Sequence, residues 1–150
     1  MVAVNLLLLS MPDSFEHMPP VAIRMPNGAL ASLAGNVDAH HAVAVADLVL
    51  AQSHVKATIE RLVHELRPDV VGLSVMTFQR ATALKIARLI RALRPATAVV
   101  VGGYDPSLAP HAYEACEDVH FIVRGEGEQT LCELLRAIEA RSGFETVGGL

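Results

Sequence analysis

The amino-acid sequence predicts a doubly wound α/β domain, with helices on both faces of a five-stranded parallel sheet. Three observations carry this prediction. Short apolar runs alternate with amphipathic segments in five strand-then-helix units. The runs are mostly apolar on both faces rather than alternating, as strands covered on both faces require. The core is aliphatic, because aromatic residues make up only 4% of the chain and tryptophan is absent.

The chain has 150 residues, enough for one domain with a substantial core, here 1–150. Hydrophobic residues make up 52% and charged residues 19%, with no long run of one sign, which is a globular composition. The net charge of −4 and pI near 5.9 point to neither nucleic acid nor an anionic membrane as a partner. The apolar opening, Val2 to Leu9, lacks the basic flank and cleavage site of a signal peptide. No segment reaches membrane-span length, so a cytoplasmic location is expected. Cys116 and Cys132 form no ligand pair and are expected to be free thiols.

The elements follow in order. Val2 to Leu9 is the first strand and ends at Ser10. An irregular stretch with Pro12, Pro19, Pro20 and Pro26 follows, and unperiodic stretches of this length inside a domain are often functional. Leu30, Leu33, Ala34 and Val37 set the first helix, and Gly35-Asn36 can terminate it. Val43 to Leu48 is the second strand. Val55, Ile59, Leu62, Val63 and Leu66 line one face of the second helix, stopped by Pro68. Asp69 to Val75 is the third strand. The third helix begins near Gln79 and carries Ala83, Ile86, Leu89, Ile90 and Leu93 inward; Arg80, Arg88, Arg91 and Arg94 take its solvated face. Thr97 to Val101 is the fourth strand, with a short helix from about Ser107 to Ala115. Val119 to Val123 is the fifth strand, and the last helix buries Leu131, Leu134, Leu135 and Ile138. The tail, Gly143 to Leu150, contains no further element.

Five such units favour the flavodoxin-like strand order 2-1-3-4-5 in a three-layer αβα arrangement. The switch point then lies between strands one and three, and ligands bind above the carboxyl ends of the strands there. Ser74 and Thr77, after strand three, are hydroxyl residues able to hydrogen-bond a ligand or to cap the next helix. Gly102-Gly103, after strand four, allow close approach to the backbone; a turn with Asp105 as N-cap and Pro106 at the first helical position is the plainer alternative. Gly125-Glu126-Gly127, after strand five, lacks the third glycine of a dinucleotide fingerprint and follows the wrong strand. Its acidic residues complement a helix N-terminus, and a hinge or domain-contact role is the sharper reading.

In their order and spacing, Ser74 after Val-Val-Gly-Leu, the block Val99-Val100-Val101-Gly102-Gly103, and Arg124-Gly-Glu-Gly-Glu128 resemble the amino-terminal domain of cobalamin-dependent radical S-adenosylmethionine proteins. Pro26-Asn27-Gly28 with Leu33-Ala34 resembles that family's first helix, and Asp47-Leu48 the end of its second strand. Val147-Gly148-Gly149-Leu150 resembles the lead into its catalytic barrel, so 143–150 would begin a linker. The resemblance implies cobalamin held base-off, with its nucleotide tail in a groove of the sheet. Ser74 and Thr77, flanked by Met76 and Phe78, would meet the tail; Gly102 and Gly103, followed by Tyr104, would leave room for it. Ser10, Met11, Pro12, Asp13, Ser14 and Phe15, with Gly125 and Gly127, would surround the corrin, and Glu126 would contact a corrin amide. S-adenosylmethionine and a 4Fe–4S cluster would belong to a radical domain in cis that this chain does not contain, since it has no Cys-x-x-x-Cys-x-x-Cys cluster. Members of that family methylate unactivated carbons, rearrange rings or cyclise. The chain alone is expected not to catalyse a reaction.

The sequence departs from the wider cobalamin pattern after strand one, where Asp-x-His-x-x-Gly is absent. Asp13 and His17 stand at another spacing without a matching glycine, which argues against a histidine on cobalt. Two other classes share the fold. A phosphate-receiving signalling domain needs acidic residues after strand one, an Asp after strand three and a Lys after strand five, where this chain has Leu9-Ser10, Ser74-Val75 and Arg124-Gly125. A flavin carrier needs a Ser, Thr and Gly-rich first loop, unlike Ser10 to Phe15. His40, His41, His54, His64, His111 and His120 are scattered over strand starts and helix surfaces and share no metal-ligand spacing, and His40-His41 at a turn are expected to be solvated.

Overall fold

A computed structural model of the chain describes residues 2–13, 27–51 and 53–150. The strands are β1 (Asn5–Ser10), β2 (Ala42–Asp47), β3 (Val70–Ser74), β4 (Ala98–Gly102) and β5 (Phe121–Ile122). They form one sheet in the order β2-β1-β3-β4-β5, and every pair is parallel. The expected order is therefore the observed one. The register aligns Leu8, Gly72 and Val100 across the three central strands, and Ser10, Ser74 and Gly102 one pleat further on.

Among the described residues, six helices cover the sheet: α1 (Gly28–Asn36), α2 (Val55–Leu66), α3 (Arg80–Leu93), α4 (Tyr104–Leu108), α5 (His111–Glu114) and α6 (Gly127–Ala140). Alternation along each strand splits the core in two. Leu7, Leu9, Val71, Leu73, Val99 and Val101 face α2 and α3. Leu6, Leu8, Val70 and Val100 face α1 and α6, where they meet Leu30, Leu131, Leu134 and Leu135. Arg67 ends α2 in the left-handed conformation, its N–H bonded to the Val63 carbonyl, and Pro68 prevents continuation.

Several elements differ from expectation. The second strand ends at Asp47, whose carboxylate accepts the Val49 N–H and turns the chain into a 3-10 segment, Leu48–Ala51. The helix after β4 begins at Tyr104 rather than near Ser107 and breaks at Ala109 and Pro110 into α4 and α5. Asp105 is not its N-cap: Gly103 holds that position, and Asp105 is inside α4 with 1% of its surface exposed. The fifth strand shortens to two residues. The tail carries a 3-10 turn, Phe144–Thr146, and docks: Phe144 stacks on Phe121, and the Gly149 carbonyl accepts the Arg124 N–H.

Two histidines, His41, expected to be solvated, and His120, serve the amino end of the sheet. His41 Nδ1 accepts the Val4 N–H at 3.1 Å, and His120 Nδ1 accepts the Val99 N–H at 3.0 Å. His41 is 8% exposed. Asp38, His40 and His41 also bring ligand atoms within 4.8 Å of one another, which the sequence reading did not anticipate. Arg136 already holds both oxygens of Asp38, at 2.9 and 3.0 Å, and His41 Nδ1 is engaged with the backbone.

Candidate functional site: a groove at the switch point

A cavity of about 240 Å³ lies between the sheet and the pair α1 and α6, opening at the carboxyl ends of β3 and β4. Leu8, Gly72 and Val100 supply its floor, Leu30, Leu33 and Leu131 its helical walls, and Ser74, Gly102 and Gly127 its mouth. Gly72 determines the depth. A Cβ there would stand 2.7 Å from Leu8 Cδ2, so any larger residue pushes side chains into the groove. At Gly102 a Cβ meets only Val123, at an ordinary 3.5 Å, and glycine there keeps the mouth wide.

Six of the residues expected from the sequence meet on this cavity: Ser74, Gly102, Gly103, Gly125, Glu126 and Gly127. Asn27 caps α1 by accepting the Leu30 N–H, and its Nδ2 donates to Ser74 Oγ at 3.4 Å. With its oxygen serving as acceptor, the Ser74 hydroxyl keeps its own proton for a ligand. Gly103 has φ of 102°, and a Cβ would fall 3.0 and 3.1 Å from the Val75 backbone N and O. Glycine at 103 thus lets the loops after β3 and β4 touch as well as bordering the cavity.

The other expected residues lie elsewhere. Met76, Phe78 and Tyr104 are exposed, on the segments after β3 and β4, and do not line the cavity. Thr77 begins a 3-10 turn, Thr77–Gln79. Ser10 donates its hydroxyl proton to Asp47. Met11 packs into the α2 and α3 core, and its carbonyl accepts from Gln79 Nε2. Pro12 is buried and Asp13 half-buried. Ser14, Phe15 and His17 lie outside the described residues.

The loops are tied by a support the sequence reading missed. Arg80, expected to be solvated, donates from Nε and Nη2 to the two Asp105 oxygens at 2.7 Å each, and the Tyr113 hydroxyl also donates to Asp105. The Arg80 guanidinium, aided by Tyr113, holds the Asp105 carboxyl below the usual carboxylate range; burial, joined by the Asp105 charge, pushes the Tyr113 phenol up. Backbone bonds run from Val75 N to Gly102 O and from Asp105 N to Val75 O. Ser107 Oγ donates to the Gly103 carbonyl and accepts the Gly125 N–H, joining the loops after β4 and β5. The groove walls were also missed as a site, because Leu30, Leu33 and Leu131 are ordinary helix-face residues in sequence. Gly72, a glycine inside a valine-rich strand, was the available signal.

A glycine-opened groove at the switch point of a 2-1-3-4-5 parallel sheet defines a cofactor-binding domain of the doubly wound class. The model of the B12 binding domain matches residues 17–135, and the chain belongs to that family of cobalamin-binding domains. It is 28% identical over 151 residues to an uncharacterized methyltransferase of Pyrococcus horikoshii, covering all of this chain and 33% of that protein. It is 33% identical over 129 residues to the anaerobic magnesium-protoporphyrin IX monomethyl ester cyclase of Cereibacter sphaeroides, covering 85% and 20%. Among solved structures, the radical S-adenosylmethionine methyltransferase TsrM of Kitasatospora setae, with cobalamin and a 4Fe–4S cluster bound, superposes with a TM-score of 0.75 at 28% identity, over 97% of this chain and 28% of that one. The cobalamin-dependent S-adenosylmethionine radical enzyme OxsB matches with a TM-score of 0.80 at 20% identity over 98% and 20%, a likeness of fold. The chain thus spans a third or less of the relatives it matches. Among the described residues, no helix is long and apolar enough to cross a membrane.

Proposed function

We propose that this chain holds cobalamin base-off and serves as the cofactor module of a larger radical S-adenosylmethionine enzyme, for methyl transfer or related radical chemistry. The observation that carries the reading is the apolar groove from Ser74 and Gly102 down to Gly72, a slot for a flat group entering from the strand ends. When bound, cobalamin supplies a cobalt centre able to carry and transfer a methyl group. The chain's own residues bind and orient. Ser74 offers its proton to the tail, with Asn27 fixing the serine oxygen. Gly102 leaves the entrance open, and Gly125 and Gly127 allow the loop after β5 to lie close to the corrin. Met76, Phe78 and Tyr104, exposed after β3 and β4, would give apolar cover to the bound cofactor. The charged side chains on the cavity are Glu126 and Glu128, both at its mouth, and Glu128 already accepts the Ser32 hydroxyl proton. Neither is paired with a nucleophile, so substrate chemistry is assigned to the remainder of the larger enzyme.

The test is a titration of the purified chain with aquacobalamin, followed by absorbance. A base-off spectrum at saturation, lost in Gly102→Val while far-ultraviolet circular dichroism stays native, is the expected result. An unchanged base-on spectrum would overturn the reading.

A further inference from the structure

The groove is chemically one-sided, and this bears on which cobamide it accepts. Its deep part is formed by Gly72 and Val100 on the sheet and by Leu30, Leu33 and Leu131 on the helices. The floor offers no backbone partner either, because β3 is hydrogen-bonded to β1 on one side and β4 on the other. Among the described residues, the polar side chains on the wall are Ser74, Glu126 and Glu128, all towards the mouth. The cavity therefore presents a neutral hydroxyl donor at its entrance and only hydrocarbon below.

We infer that this groove selects cobamides by the polarity of the lower base, taking a benzimidazole and discriminating against a purine. The inference rests on the proposed placement of the nucleotide tail in the groove. A benzimidazole released from cobalt exposes one ring nitrogen, an acceptor that the Ser74 hydroxyl can satisfy; its remaining edge is hydrocarbon. An adenine base adds further ring nitrogens and an exocyclic amine. Leu30, Leu131 and Val100 offer these groups nothing, so they would lose their water without replacement. A site that leaves polar groups unpaired discriminates far more strongly than one that merely fits shape. The expected preference is on the order of 10- to 100-fold, at 1.4 kcal/mol for each factor of ten. Detaching the base from cobalt is harder for the more basic benzimidazole, which opposes this order, so the comparison is made anaerobically in the cobalt(I) state, where the lower base is off the metal in all the corrinoids and the ratio reports the groove alone.

The experiment measures dissociation constants of the purified chain for three corrinoids by equilibrium dialysis: cobalamin, its analogue with adenine as lower base, and cobinamide, which has no nucleotide tail. Cobalamin binding at least tenfold tighter than the adenine analogue, with cobinamide also weaker than cobalamin, supports the inference. Equal binding of cobalamin and the adenine analogue, with cobinamide weaker, overturns the selectivity and leaves the tail in the groove. Equal binding of all three overturns both the selectivity and the tail placement. Failure to bind any of them overturns the cobalamin reading and the inference with it.

Discussion

Arg80, on the first turn of α3, grips the buried carboxylate of Asp105 in α4 with two hydrogen bonds of 2.7 Å. The pair joins the loops that follow β3 and β4, whose residues form the mouth of the groove. A buried carboxylate that loses its cation is costly. Arg80→Ala is expected to lower stability clearly, because Asp105 would stay buried without its cation. Urea denaturation at neutral pH measures it, and a loss below about 0.5 kcal/mol would show the pair to be no more than a surface contact.

The same pair predicts acid behaviour. Asp105 is held below its ordinary range by Arg80 first and by the Tyr113 hydroxyl as well. Its contribution is present above the unfolded carboxyl value of about 4 and is lost as pH falls below that value. Stability measured from pH 5 to pH 2 should fall steeply in the parent and more gently in Asp105→Asn. Parallel curves would rule out Asp105 as the source.

His41 and His120 predict a second pH window. Burial is the largest cause lowering each, followed by the charge of His40 for His41 and of Arg91 for His120. Both accept a backbone N–H through Nδ1, so protonation breaks those bonds. Their contribution is present above the unfolded histidine value of about 6.5 and declines as pH falls below it. The parent should lose about 1 kcal/mol per histidine on acidification to pH 5. Thermal melts of the double variant His41→Asn, His120→Asn should show a flatter profile between pH 7 and pH 5.

Gly102 and Gly103 should respond differently to substitution. Gly103→Ala places a Cβ against the Val75 backbone at a φ of 102°, so it should cost about 1–3 kcal/mol in stability. Gly102→Ala meets only Val123 at 3.5 Å and should melt like the parent while binding cobalamin more weakly. Melting curves and spectral titrations of the two variants side by side decide the matter. Equal destabilisation of both would contradict the assignment.

Absence of the Asp-x-His-x-x-Gly motif predicts that no histidine ligates cobalt in the bound cofactor. Electron paramagnetic resonance of the cobalt(II) form should show no nitrogen superhyperfine splitting. Splitting that vanishes in His17→Ala would identify His17 as a ligand, and splitting that persists would point to retained dimethylbenzimidazole or another histidine; either contradicts the prediction.

The sequence by itself determined the strands, the long helices and their order, because each rests on short-range pattern. A run such as Val70 to Leu73 is apolar at every position, and Ile59, Val63 and Leu66 recur at helical spacing, whatever lies elsewhere in the chain. Strand order followed from the number of β-then-α units, since five favour the order 2-1-3-4-5. The loop glycines and Ser74 were legible for the same reason: they sit at predictable strand ends. Tertiary structure alone decided the rest. Arg80 and Asp105 are 25 residues apart and become partners only once α3 and α4 pack together. His41 lies beside His40 in sequence, yet only His41 is turned in to meet Val4, 37 residues away. The groove takes its walls from α1, β1, β3, β4 and α6, and no local pattern marks Leu30 or Leu131 as lining a cavity rather than filling a core. Hydrophobic periodicity reports which face of an element turns inward; what that face meets depends on contacts between distant segments.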